Sequence, residues 1–245
     1  MTALLLAALF AQESFEKRLD ELHPRLASYD FRVRESAALE LNNLVDAAGP
    51  TVRRVMKSRL QSATDPMVKA ALGAALARLP VLQLSIKVEG EAAVGKPMAF
   101  RIRMTNVSDE DVAVVGALDG SDAGLRFPFY GVEITRPDGS PWVPVGELRC
   151  GNCNALRTED IVRLKPGDEF DPLGEGFFRN YRLSIWRPAT KGKHLLRMIV
   201  SFSSEDPEKW NGPMKPRLPD PDRIRSLLAD VPKVKLEAKV EFEVK

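Results

Sequence analysis

Leu79-Pro80-Val81-Leu82-Gln83-Leu84-Ser85-Ile86-Lys87-Val88 is where the chain changes rhythm. From Leu82 onward, Leu82, Leu84, Ile86 and Val88 alternate with Gln83, Ser85 and Lys87, the period of two expected of a half-buried strand. Pro80 disfavours continuation of any helix that reaches it. On its N-terminal side the apolar residues recur every three or four positions, which is the helical period. The junction therefore divides the sequence into a helical segment, 12–80, and a strand segment, 81–245, the α+β class with helices and strands segregated.

Working back from Pro80, Asp65-Pro66 is a helix-start signal, because an aspartate side chain accepts from the unpaired amides of a first turn and proline suits that turn. Asp30 gives the same signal for an earlier helix, with Val33, Ala37, Leu41 and Leu44 expected inward and Gly49-Pro50 as its stop. Between them, Val52, Val55, Met56 and Leu60 mark a further helix. Phe15, Leu19, Leu22 and Leu26 mark the first, in which Pro24 should cause a kink or an early end. Asp30-Phe-Arg-Val33-Arg34 falls on Asp65-Pro-Met-Val68-Lys69 at an offset of 35, and Leu41 and Leu44 fall on Leu76 and Leu79. Aspartate, then Val-Arg or Val-Lys, then an Ala-rich apolar face resembles HEAT repeats. The resemblance implies an α-solenoid, here of fewer units than the three or more that normally close a core. A generic four-helix bundle is the other reading.

Before these helices, Met1–Ala11 is an uncharged apolar run. It has the length of a signal-peptide hydrophobic region, which predicts export with cleavage after Ala11; the alternative is a first apolar helix of the helical segment. It is well short of the ~20 residues needed to span a bilayer, so no transmembrane anchor is expected.

Working forward from Val88, Gly95-Lys-Pro97 is a turn, followed by alternating Met98, Phe100, Ile102 and Met104. Further strands are expected at 112–118, 129–135, 160–164, 182–186, 195–202 and 234–244, with Pro137-Asp138-Gly139 as a hairpin turn. Thr105-Asn106-Val107-Ser108, Leu164-Lys-Pro166-Gly167-Asp168 and Lys191-Gly-Lys-His194 punctuate them. This order of segments resembles the immunoglobulin-like modules of bacterial exported proteins, including the group named after a Bacillus intracellular proteinase inhibitor. The resemblance implies an all-β sandwich over 81–245. The excursion 119–154 is longer than an ordinary sandwich loop, and 205–232 is expected to wrap a sheet edge with a short helix near 222–229.

Charge excludes one class of partner. The formal net charge is +2, and the strand segment holds 25 basic and 25 acidic residues, so no nucleic-acid footprint is expected. The only cysteines, Cys150 and Cys153 in Cys-Gly-Asn-Cys, fit a tight disulfide in an exported protein, two unbridged thiols, a redox pair or half a zinc site. His23 and His194 are the only histidines; both are expected at exposed or edge positions rather than as catalytic bases. Gly116-Ala-Leu-Asp-Gly120 lacks the lysine and helix of a phosphate loop, and no cofactor is expected. Asp119, Arg126, Tyr130, Trp142, Arg149, Asn152 and Arg157 concentrate residue types favoured as interface anchors on loops. The competing reading makes Phe127, Phe129 and Trp142 core and the arginines solvated. Together these features predict a non-enzymatic, exported (periplasmic or secreted) protein acting on another protein by binding or scaffolding. A protease inhibitor presenting a sandwich loop and a thiol redox protein are the alternatives.

Overall fold

In a computed structural model of the chain, residues 2–118, 120, 121, 124, 126–142, 156–173, 186–203, 206–211 and 221–245 are described, those of 2–12 and 211 by backbone alone. Two compact units form: residues 1–81 with Val107–Glu110, and Leu82–Asn106 with Asp111–Lys245.

The first unit is helical: α1 (Thr2–Leu26), α2 (Phe31–Ala48), a single 3₁₀ turn (Pro50–Val52), α3 (Arg53–Ser62) and α4 (Pro66–Arg78). The α1 stripe Phe15, Leu19, Leu22 and Leu26 is buried. Pro24 lies inside α1, which ends two residues later, so its missing N–H affects only the last turn. Both aspartate caps form. Asp30 accepts from the Arg32 amide at 2.8 Å and Asp65 from the Met67 amide at 2.7 Å, with nearly the same extended backbone at each. The offset of 35 holds for the caps and for the buried pair Ala37 and Leu72, but not for the rest of the faces that follow the caps. In α2 the buried residues are Ala37, Leu41 and Val45; Val33 is exposed and Leu44 only half-buried. Position 34, not 33, turns inward in the first turn, because the Arg34 guanidinium donates to the Ser28 and Tyr29 carbonyls at 2.6 and 2.9 Å. In α4, by contrast, the equivalent Val68 is buried, with Leu72 and Ala75, and so is Leu79 just past its end. Arg53 closes the other end of α4 by donating to the Leu76 and Leu79 carbonyls, both at 3.2 Å.

Among its described residues the second unit has nine strands: β1 (Leu82–Glu89), β2 (Ala99–Asn106), β3 (Val112–Val115), β4 (Phe129–Thr135), β5 (Pro141–Trp142), β6 (Ile161–Leu164), β7 (Glu169–Phe170), β8 (Gly192–Ser201) and β9 (Lys235–Val244). They pair as three antiparallel sheets, β1-β2-β7, β3-β6 and β5-β4-β8-β9. β1 alternates as its sequence requires, burying Leu82, Leu84 and Ile86, which pair with Asn106, Met104 and Ile102. The Pro137-Asp138-Gly139 turn forms as expected: Gly139 takes φ 82°, and the Asp138 carboxylate accepts from the Ser140 amide at 2.9 Å.

Two punctuating motifs that are far apart in sequence meet at Asn106, which is 1% exposed. Its side-chain amide donates to the Leu164 carbonyl at 2.9 Å. Its backbone takes the Gly167 amide at 2.9 Å and gives to the Asp168 carbonyl at 3.0 Å. One buried amide thus joins the end of β2 to the turn after β6.

The inner face of β8 corrects the expectation for His194, which is 2% exposed. The ring stacks on Phe242 at 5.7 Å and meets Trp186 edge-on at 5.8 Å, and its Nδ1 lies 3.0 Å from the Gly192 carbonyl. Phe100 of β2 contacts both Trp186 and Phe242, so aromatic rings link the first sheet to the third. Residues 182–185 of the strand expected at 182–186 lie outside the described residues, and Trp186 itself is not in a strand.

Candidate functional site

Strand pairing decides which residues share the outer face of the β4-β8-β9 sheet. With His194, Leu196, Met198 and Val200 of β8 turned inward, Arg197, Ile199 and Ser201 point the other way. Register then sets three successive rows across the strands: Phe129–Ser201–Lys235, Gly131–Ile199–Glu237 and Glu133–Arg197–Lys239.

The last of these rows, with Glu237, is an ion ladder. Arg197 donates to Glu133 at 2.9 Å and to Glu237 at 2.6 Å, and the Lys239 ammonium lies 2.9 Å from Glu237. Hydrogen bonding from Arg197 first, then from Lys239, pulls the Glu237 carboxyl from 4.5 down to about 2. A carboxyl depressed on folding stabilises the fold above its unfolded value and loses that contribution as pH falls through the folded one. The stability difference between wild type and Glu237→Gln should therefore be constant above pH 4.5 and shrink between pH 4.5 and about 2, read from urea midpoints across that window.

Phe129, Ser201 and Lys235 of the first row and Ile199 of the second line a groove of about 530 Å³. Phe129 and Ile199 form its apolar bed. The Phe129 ring lies over Gly131, where a Cβ would come within 2.8–2.9 Å of the ring, so glycine is what lets the ring lie down along its own strand. Gly124 approaches the other edge of that ring. One wall is Arg126-Phe127, just ahead of β4, held against the short helix Glu208–Asn211. The Phe127 amide donates to the Lys209 carbonyl at 2.7 Å, Arg126 donates to the Trp210 carbonyl, and the Phe127 and Trp210 rings sit 5.7 Å apart. Ser201, Ser203, Lys209 and Lys235 complete the lining. The Ser201 and Ser203 hydroxyls are 2.8 Å apart, and Ser201 Oγ also accepts from the Ser203 amide.

The expected interface cluster is only partly placed here. Arg126 reaches the groove, but it is 4% exposed and acts as a strut to Trp210 rather than as an exposed anchor. Tyr130 is no surface contact: it is fully buried, and its hydroxyl donates to the Val115 carbonyl at 2.8 Å. Burial, with the charge of Asp171, raises its phenol well above the ordinary value. Trp142 is half-buried on β5 opposite Ile134. Arg157 is exposed at the start of a 3₁₀ turn and is engaged by Asp160 at 2.9 Å and Glu159 at 3.0 Å. Asp119, Arg149, Asn152, Cys150 and Cys153 lie outside the described residues.

The sequence does not point to Ile199, Ser201, Ser203, Lys209 or Lys235 as groove residues, and it leaves Phe129 open between an interface cluster and the core. The alternation of β8 and β9 shows which of their residues share a face. Nothing local shows that Phe129 lies beside Ser201, or that the helix at 208–211 returns to wall the same spot.

Among the described residues no cluster of three or more His, Cys, Asp or Glu could hold a metal ion, and no helix is long and apolar enough to cross a membrane. No protein-family model matches the chain, and no curated protein matches it.

Proposed function

We propose that this chain is a non-enzymatic binding protein, exported, in which a HEAT-like helical unit accompanies an immunoglobulin-like sandwich that holds another protein. The observation that carries the reading is the groove on the outer sheet face. Its lining supplies apolar contact area from Phe127, Phe129 and Ile199 and hydrogen-bond donors from serines and lysines, the mixture that protein interfaces use. His194, the histidine of this unit, projects from the opposite face of β8, so it is not set to activate Ser201 or Ser203. The antiparallel sheets and the Asn106 junction between the two turn motifs support the sandwich reading. The matched aspartate caps support the helical repeat.

The test is capture by the full-length chain from an envelope extract of its native cells, followed by light scattering on the purified complex. A saturable complex of fixed stoichiometry is expected. A chain that captures no protein and instead turns over a small substrate would contradict the reading.

A further inference from the structure

Charge around the groove is unevenly distributed. Lys209 and Lys235 line it, both are exposed, and neither ammonium has an ion-pair partner among the described residues. The carboxylate nearest in register, Glu237, lies one row along β9 from the Lys235–Ser201 row and is committed to Arg197 and Lys239. It is held ionised by those two cations and is not turned to Lys235. None of the groove's described lining residues is acidic. The site thus pairs an apolar, partly aromatic bed with two lysines that have no ion-pair partner among the described residues, and its volume is that of a ligand-sized pocket.

We infer that this groove takes an acidic peptide segment of a partner protein, with an Asp or Glu side chain at Lys209 and Lys235 and a neighbouring aromatic or large aliphatic side chain on Phe129 and Ile199. The inference rests on the binding-protein reading and names the occupant. A peptide fits better than a nucleic-acid strand because the strand segment as a whole is charge-balanced and offers no basic track for a phosphate backbone. The carboxylate supplies the charge complement and the adjacent apolar group supplies the buried area. An acidic group without that neighbour would meet only two exposed lysines, and such pairs hold weakly in water.

The test selects random dodecapeptides on the full-length protein, each joined through its C-terminus to a carrier so that only side-chain carboxylates are offered. Recovered peptides should combine Asp or Glu with a nearby aromatic or large aliphatic residue. A synthetic peptide of that kind should bind about tenfold more weakly to the Lys209→Glu, Lys235→Glu double variant, and to wild type after its acids are changed to amides. Binding should also fall with added salt, since exposed pairs are screened within ~8 Å at physiological ionic strength and ~3 Å at 1 M. The milder Lys209→Gln, Lys235→Gln pair should shift affinity in the same direction by less, with an unchanged melting temperature. Recovery of peptides without acids, recovery of none, equal binding by the lysine variants, or binding of a single-stranded oligonucleotide instead would overturn the assignment. If the native partner is captured equally well by wild type and the lysine variants, the groove assignment falls while the binding-protein reading stands.

Discussion

Tyr130→Ala should cost the C-terminal unit about 3–5 kcal/mol, as expected when a fully buried aromatic side chain is truncated and its neighbours cannot close the space. The loss has two parts. The ring is removed from the core beneath β4, and the Val115 carbonyl loses the 2.8 Å hydrogen bond it takes from the phenol. Tyr130→Phe separates them: it keeps the ring and removes the donor, so it should cost about 1–2 kcal/mol. Urea unfolding followed by far-ultraviolet circular dichroism would measure both variants. The alanine variant should melt on the order of 10 °C lower than wild type. Near-native stability for Tyr130→Ala would mean that Tyr130 faces solvent, as the sequence alone suggested.

Trp210→Ala should have an effect of similar size, about 3–5 kcal/mol, and a second consequence that Tyr130→Ala need not have. Trp210 is 1% exposed, yet it sits in a helix of only four residues, which has no stability of its own. Among the contacts that hold that helix are the indole against Phe127, the Arg126 guanidinium on the Trp210 carbonyl and the Phe127 amide on the Lys209 carbonyl. Removing the indole should free the helix, so that Lys209 no longer stands over the Phe129–Ile199 bed. Peptide capture should then fall even at temperatures where the sheets remain folded, as checked by circular dichroism and by binding on the same sample. Loss of stability with capture intact would mean that Trp210 supports the core without shaping the groove.

Much of the fold was legible because its signals are local. An aspartate ahead of a helix start, as at Asp30 and Asp65, or an alternation such as Leu82-Gln-Leu-Ser-Ile, needs no distant partner to be read. Misreadings arose where a distant contact decided the outcome. Val33 and Val68 look equivalent at an offset of 35, yet only Val68 is buried, because Arg34 takes the inward place at the start of α2 to satisfy carbonyls of the α1–α2 connection. His194 reads as the edge of a strand after a polar turn, but aromatic residues from β9 and from Trp186 close over it. β5 and β7, two residues each, have no pattern long enough to detect. The groove was hidden for the same reason as the pairing of β4, β8 and β9. Lys209 and Lys235 are ordinary surface lysines in sequence, and only strand register and the Arg126–Trp210 contact put them around Phe129.

On the proposed reading, the partner binds in the groove on the outer face of the β4-β8-β9 sheet. The most direct measurement is amide chemical-shift mapping of the isotopically labelled full-length protein during titration with a selected acidic peptide. The largest shifts should fall at Phe127, Phe129, Gly131, Ile199, Ser201, Ser203 and Lys235, and the Lys209→Glu, Lys235→Glu variant should need about ten times more peptide to reach them. Shifts centred instead on the exposed Tyr29, Phe31 and Leu39 of the helical unit, with the groove amides unmoved, would contradict it.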